Sequence, residues 1–463
     1  MSPRRPDPAM LKELLDETAQ DMGVAGAQLA MAVGDDTAEC ATGLANARTR
    51  QPVTTNTIFQ VGSTTKLFTA ALILQLVDEG LLGLDTPVSR RLPDIPLSSS
   101  PEAADITPRL LMSMTSGLDN GPYRDTGRGD DAIARYAGLL GRIPLISPPG
   151  ERYGYSNAST VVSGLLVERL TGVTWDRALR SRLLAPLALH RAATLPEDQI
   201  YHSVAVGHDT GTGPARLRRP WIIGRGMGPA GTTLCAAAGD LMRFGQVLMS
   251  GGQASGGPRA LTRESAAVLH TRTADVPAKW FADSWCVGPY HKTWDGTDVY
   301  GHSGTNIGGS SLLLWVPEHE AVIAVTMNVP SKGYEFTDRL LGRLFPDVLG
   351  VGKPTRPVPD GSLPVDTALY TGSYDCYGFT YEVTAADGRL FLTRNAKNGD
   401  NFEQRDDLPS LTTELKPIGD HRFLPGDDEM TTHHTWDIAF VFNGAEQASG
   451  LMNGAFGTRR AER

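Results

Sequence analysis

Three short segments carry the residue types that acyl transfer needs. Ser63-Thr64-Thr65-Lys66 opens onto the apolar run LFTAALILQLV. A serine at a helix N-terminus sits at the positive end of the dipole, which favours a developing alkoxide. A lysine three residues on lies on the same face, one turn later. A serine cap followed by a surface lysine would carry the same letters, but the apolar positions from Lys66 to Leu81 surround most of the helix, and a lysine buried there needs a reason. Tyr155-Ser156-Asn157 follows SPPGERYG and precedes a helical pattern over Ala158 to Leu170. A phenol beside an ammonium is pushed toward phenolate and can take or return a proton, while a carboxamide can hold the lysine and a substrate amide together. Alone, the segment is equally a turn with an asparagine cap. His302-Ser303-Gly304 stands in GHSGTNIGGSS, just before a strand pattern at 310, where glycines let a substrate backbone approach a strand edge. In isolation it is a loop histidine, so the three segments weigh more together than singly.

The elements that must position them follow from periodicity and caps. Asp7-Pro8 starts a helix whose face is Leu11, Leu14, Leu15, Thr18 and Met22, ending at Gly23. GAQLAMAV and AECATGLAN, joined by a Gly-Asp-Asp turn, predict a β-hairpin. Strand patterns return at Ser310 to Trp315 and Ala321 to Asn328, followed by a helix over Glu335 to Leu344, so residues of about 86 to 300, with short helices and Pro/Gly-rich loops, form an insertion or cap. GVGKPTRPVPDGSLPVD then holds four prolines in seventeen residues, a stiff linker. Beyond it, GSYDCYGFTYEVTAADGRLFLTRN and HHTWDIAFVFN alternate polar with apolar residues, as in a small β-barrel or sandwich. Three parts are expected: residues 1–349, a linker 350–365, and a β-domain 366–463.

At 463 residues the chain can bury a large core without staples. Forty-three Lys+Arg against fifty-two Asp+Glu give a net charge of −9 with no basic run, which excludes a nucleic-acid groove or a polybasic membrane patch. No apolar stretch reaches the length of a membrane span. Cys40, Cys235, Cys286 and Cys376 are scattered and read as unpaired thiols of a reducing compartment; His433-His434 has no carboxylate or cysteine at ligand spacing, so no metal and no cofactor is expected. An acidic amphipathic helix stands where a signal peptide would be apolar, so a cytoplasmic location is expected.

The order S-x-x-K, Y-x-N, H-x-G resembles the serine β-lactamase and penicillin-binding-protein superfamily, and so do the surrounding blocks FQVGSTTKLFTAALILQLVDEG, PPGERYGYSNASTVVSGLLVERLTG and GHSGTNIGGSSLLLWVPE, over about residues 25 to 345. The resemblance implies an α/β (α+β) fold: an antiparallel sheet flanked by helices with a helical insertion, followed here by a lipocalin-like β-barrel. It implies Ser63 as acylated nucleophile, Lys66 as its partner, Tyr155 as general base or acid and Asn157 as a substrate-side amide. The backbone N–H groups of Ser63 and Thr305 would form the oxyanion hole, and Gly304 and Asn306 would lie beside the substrate. His302 stands where many relatives carry the lysine of K-T-G; a largely neutral imidazole replaces a permanent cation, so strong β-lactamase activity is not expected.

The absent export signal and the single β-rich C-terminal domain favour the stand-alone penicillin-binding-protein-type thioesterases. These release and cyclise non-ribosomal peptides delivered by a peptidyl carrier protein. A D-stereospecific aminopeptidase or amidase, a carboxylesterase, or an inactive peptide-binding relative are the alternatives. In the thioesterase reading one of Arg459 and Arg460, in the tail NGAFGTRRAER, would reach the cleft and bind peptide carbonyls, the plain alternative being a solvated basic tail.

Overall fold

The computed structural model describes residues 4–209, 215–253, 256–397, 409–426 and 437–461; His433 and His434 lie outside them. Helix α1 (Pro8–Met22) is capped by the Asp7 carboxylate, which accepts the Ala9 N–H at 2.9 Å, and ends at Gly23 in the left-handed region. Strands β1 (Gly26–Val33) and β2 (Asp36–Asn46) form the hairpin. Helix α2 (Thr65–Asp78) follows Ser63, α3 (Asn157–Thr171) follows Tyr155, and α4 (Ala238–Met249) closes the insertion. Strands β3 (Thr297–Asn306), β4 (Gly309–Val316) and β5 (Ala321–Met327) and helix α5 (Gly333–Leu344) complete the first part.

The main sheet has nine antiparallel strands, and β1 pairs with β5 at its centre. The N-terminal hairpin is therefore stitched to the last strand, and everything between β2 and the strands near 290 is a long excursion from one sheet. Alternate residues of the central strands enter two different cores: Ala30, Leu313, Trp315 and Ala324 on the face of α2 and α4, Leu29, Leu312, Leu314 and Val325 on the face of α1 and α5. Because both faces are covered, β1 is buried almost throughout. Every residue of α2 from Thr65 to Leu74 is buried, as its all-round apolarity requires; the helix stops at Asp78 and leaves Leu81 exposed.

Among the described residues the C-terminal part is a nearly closed antiparallel barrel of nine strands. Its interior is filled by Tyr374, Val383, Leu392, Leu415, Phe440 and Leu451 among others. The last strands, Phe456–Gly457 and Arg459–Arg460, lie on the two edges of the sheet, and the chain passing between them closes the barrel. The barrel sends a hairpin into the first part. Met452 and Ala455 belong to the same core cluster as Tyr153, Tyr155 and Trp285, and Arg152 donates to the Thr458 carbonyl at 2.9 Å.

This closure corrects the expectation for one of the two C-terminal arginines. Arg460 donates to the carbonyls of Ala448 (2.8 Å) and Thr371 (2.5 Å) and to the Tyr374 hydroxyl (3.2 Å), so its guanidinium is spent locking the barrel seam. Arg459 pairs across the strands with Asp375. Arg460 is therefore held in the seam by those hydrogen bonds rather than delivered to the cleft. Three of the four cysteines are buried, Cys376 is half-buried, and none is paired. Arg460→Met removes these hydrogen bonds and leaves their carbonyl partners poorly satisfied, so thermal denaturation should report a loss of about 2 kcal/mol, with the rate of Ser63 labelling unchanged below the transition.

Candidate active site

Ser63 is the middle residue of a single 3₁₀ turn, Gly62–Thr64, that leads into α2. That turn is clamped to the sheet: Ser311 donates to the Val61 carbonyl at 2.6 Å, and the Thr64 and Ser311 hydroxyls lie 2.8 Å apart. Backbone approaches too close for any side chain surround it. A Cβ on Gly304 would stand 2.0 Å from the Val61 oxygen and 2.7 Å from the Ser63 nitrogen; one on Gly62, at φ +53°, would stand 2.5 Å from the Thr305 nitrogen. The main chains of 62–63 and 304–305 thus lie against each other, the juxtaposition that an oxyanion hole of the Ser63 and Thr305 N–H groups requires. The strand at 290–294 pairs with β3 only as far as Gly301, so residues 302–306 present an edge beyond it.

Lys66 is completely buried. Its Nζ lies 3.0 Å from Ser63 Oγ, 2.6 Å from Asn157 Oδ1 and 2.7 Å from the Ala230 carbonyl, and 4.9 Å from the centre of the Tyr155 ring. No carboxylate is among these partners, and burial holds its pKa well below the ordinary lysine value. The two oxygens of Asn157 and Ala230 can only accept, so they take two N–H bonds of the amine. The third position, facing Ser63, is then free to be a lone pair that receives the serine proton. Asn157 is held with its oxygen toward Lys66 because its Nδ2 donates to the Tyr123 hydroxyl at 2.8 Å.

The Tyr155 hydroxyl is hydrogen-bonded to Ser63, and burial raises its pKa far above the usual phenol range. This corrects the expected phenolate: desolvation of the buried hydroxyl disfavours its charged form. Tyr155 rests as a phenol that can relay a proton. The ring is gripped from behind by the barrel, with Phe456 edge-on at 5.5 Å and the Ala455 carbonyl accepting the Tyr155 N–H at 3.1 Å.

His302 is 2% exposed and lies among Tyr155, Trp285 and Tyr290. Its Nδ1–H donates to the Ser303 carbonyl at 2.5 Å. Burial, and next the Lys66 charge, push its pKa down to about 3, so the imidazole is neutral and offers no cation to a substrate carboxylate. Asn306 departs from its expected place beside the substrate. Its Nδ2 donates to the carbonyls of Gly231 and Thr232 and its Oδ1 accepts the Ile307 N–H, so its amide braces the loop at 231–232 against β3. Gly304 does border Ser63, through backbone alone. Three contributors carry no sequence signature: Tyr123 in an irregular loop, the Ala230 carbonyl, and Phe456, which comes from the other end of the chain.

The Beta-lactamase family profile matches residues 11–345. Penicillin-binding protein 4 of Amycolatopsis lactamdurans is 36% identical over 377 residues, 80% of this chain and 98% of that one. The crystal structure of SurE superposes with a TM-score of 0.80 at 28% identity, covering 98% of this chain and 99% of the other, barrel included. D-amino acid amidase from Ochrobactrum anthropi SV3 shares the fold, with a TM-score of 0.58 at 23% identity over 72% of this chain and 97% of that one. The chain belongs to the Beta-lactamase family, within the β-lactamase and penicillin-binding-protein superfamily of serine hydrolases and acyltransferases.

Two outcomes follow from this geometry. Gly304→Ala places a methyl group against Val61 and Ser63 and should lower the rate of Ser63 acylation about a hundredfold, measured with a fluorophosphonate. His302 has a folded pKa of about 3 against an unfolded 6.5, so as pH falls through that window the unfolded state gains a proton that the folded state refuses. Stability should fall between pH 6.5 and 3, and less steeply in His302→Gln, in urea titrations across that range.

Proposed function

We propose that this chain is a stand-alone penicillin-binding-protein-type thioesterase. In this reading Ser63 takes a peptidyl chain from the carrier-protein thioester of a non-ribosomal peptide synthetase, in the cytoplasm, and releases it as a head-to-tail macrolactam. The observation that carries it is the barrel hairpin closed over Tyr155 in a chain whose architecture, barrel included, is that of SurE.

Lys66 accepts the Ser63 proton as Oγ attacks the thioester carbonyl, and the developing oxyanion is met by the N–H groups of Ser63 and Thr305. The C–S bond breaks, and the departing thiolate takes a proton through the Tyr155 hydroxyl, leaving an acyl-Ser63 ester. The peptide's N-terminal amine then attacks that ester, giving its proton to the Tyr155–Lys66 pair, which returns one to Ser63 Oγ as the C–O bond breaks. Cyclisation wins over hydrolysis only where the amine is held near the ester and water is excluded. The half-buried position of Ser63 and the aromatic wall of Tyr155, Trp285 and Phe456 support that exclusion. SurE has been crystallised with D-Leu, and a preference for a D-configured acyl residue is proposed for this chain. A D-amidase or carboxylesterase would use the same Ser63, Lys66 and Tyr155 and release open-chain product.

Incubating the protein with peptidyl thioester mimics ending in D- or L-residues separates these readings by mass spectrometry. A product one water lighter than the linear acid, formed from the D-ended substrate and absent with Ser63→Ala, is expected; linear acid alone would establish a hydrolase. Phe456→Ala opens the wall behind Tyr155 and should raise the ratio of linear to cyclic product roughly threefold or more.

A further inference from the structure

Just after the short helix Pro196–Gln199, two adjacent large side chains are left bare: Ile200 is 77% exposed and Tyr201 85%. Among the described residues only Val358, in the linker, is as open. From Tyr201 the chain runs along one end of the main sheet toward Ser63. The Ser203 carbonyl accepts the Ile58 N–H at 2.8 Å, and the Val206 N–H donates to the Ala45 carbonyl at 3.0 Å. Gly207 lies against the turn between β3 and β4, where its Cβ would stand 2.6 Å from Gly308 Cα. His208–Asp209 then pairs with Arg216–Leu217, and the returning chain is tied to the site. Gln60 donates to the Trp221 carbonyl and accepts the Gly308 N–H, while the Thr232 hydroxyl donates to the Gly224 carbonyl at 2.9 Å. One strip of surface thus leads from Tyr201 to the residues flanking Ser63.

That strip is basic. Arg48 and Arg50 stand on the turn after β2, whose Ala47 N–H donates to His208 Nε2 at 3.0 Å, and Arg216 and Arg219 stand on the returning side. All four are exposed, and among the described residues none has a carboxylate within ion-pair distance; Asp209, the acid beside them, is taken by Arg218 at 3.0 Å. Asp125 borders only the far end, at Gly224. The two arginine pairs are far apart in the sequence, and the fold brings them to one end of the sheet. An acidic partner is repelled by the rest of a chain of net charge −9, and this face gives it a way in. An exposed tyrosine and isoleucine among arginines is also the make-up of a protein-docking surface, where aromatic residues and Arg are enriched. A surface for phosphate groups alone has no use for the apolar pair.

We propose that this strip docks an acidic face of the carrier protein. Ile200 and Tyr201 take an apolar spot on it, Arg48, Arg50, Arg216 and Arg219 take its carboxylates, and the tethered thioester enters the cleft beside Gly308 and Trp221. This docking surface rests on the thioesterase reading above and adds where the donor is held.

The same D-ended peptide is given to the full-length protein in two forms: as a thioester of N-acetylcysteamine, and as a thioester on a terminal peptidyl carrier domain of a non-ribosomal peptide synthetase. A KM about tenfold lower for the carrier form is expected, rising with salt as the charges are screened. The double variant Arg48→Glu, Arg219→Glu should raise the KM of the carrier form about tenfold, flatten its salt dependence and leave kcat within about twofold. Tyr201→Ala should raise that KM about fivefold, and the double variant Arg48→Lys, Arg219→Lys, which keeps the charge, should stay near wild type. Turnover of the small thioester and the melting temperature should be unchanged in all three, because these side chains are exposed. A carrier form no better than the small thioester, a carrier KM unchanged in the folded charge-reversal protein, or competition by duplex DNA or phosphatidylserine vesicles as strong as by the free carrier domain would overturn the docking surface while leaving the thioesterase reading in place. Turnover of neither form would overturn that reading, and the docking surface with it.

Discussion

A completely buried lysine amine whose hydrogen-bond partners include no carboxylate is the constraint on which the rest of this structure turns. Leaving Lys66 charged in such a place is costly, and three oxygens, from Ser63, Asn157 and Ala230, are all that receive it. They come from the turn that leads into α2, from the start of α3 and from the segment before α4, so the amine can be satisfied only if those three segments converge. Burial that drives the amine toward neutrality also makes it a base beside a serine hydroxyl. The same burial keeps Tyr155 a phenol and His302 a neutral imidazole. The site is thus poised by desolvation rather than by paired charges.

The approach of backbone to backbone is the second requirement. Gly62, Gly231 and Gly304 each stand where a Cβ would strike the main chain around Ser63. Gly231, at φ +125°, would carry its Cβ 2.3 Å from the Gly62 oxygen. This packing brings the Ser63 and Thr305 amides together on a rigid strand edge, and ties the carbonyl beside it, Ala230, to Lys66.

The barrel is part of this arrangement. Its hairpin at 450–457 buries Met452 and Ala455 in the core that also holds Tyr153, Tyr155 and Trp285, and the Tyr377 N–H donates to Asp119 at 2.9 Å, beside the loop that carries Tyr123. The side chain of Asp119, buried and raised to about 6 by desolvation, therefore joins the barrel to the loop whose backbone carbonyl accepts the Ser156 hydroxyl at 2.8 Å. A C-terminal segment that a linear reading sets apart as a separate β-domain supplies the back wall of Tyr155.

Local chemistry made much of this legible in the sequence. The Asp7-Pro8 cap, the all-round apolar α2, the strand patterns of β4 and β5 and the three motifs depend on neighbours within a turn or a strand, and that information is written in consecutive residues. The sequence by itself determined a serine one helical turn from a lysine that its helix must bury, and a superfamily resemblance that places the tyrosine, amide and histidine beside them. Tertiary structure alone decided the protonation states, because desolvation depends on everything packed around a group. It alone decided that Asn306 braces a loop and that Arg460 locks a barrel, since both are held by carbonyls distant in the chain. It also put Phe456 against Tyr155 across three hundred residues, a contact that no local pattern encodes because neither residue's neighbours in sequence take part in specifying it.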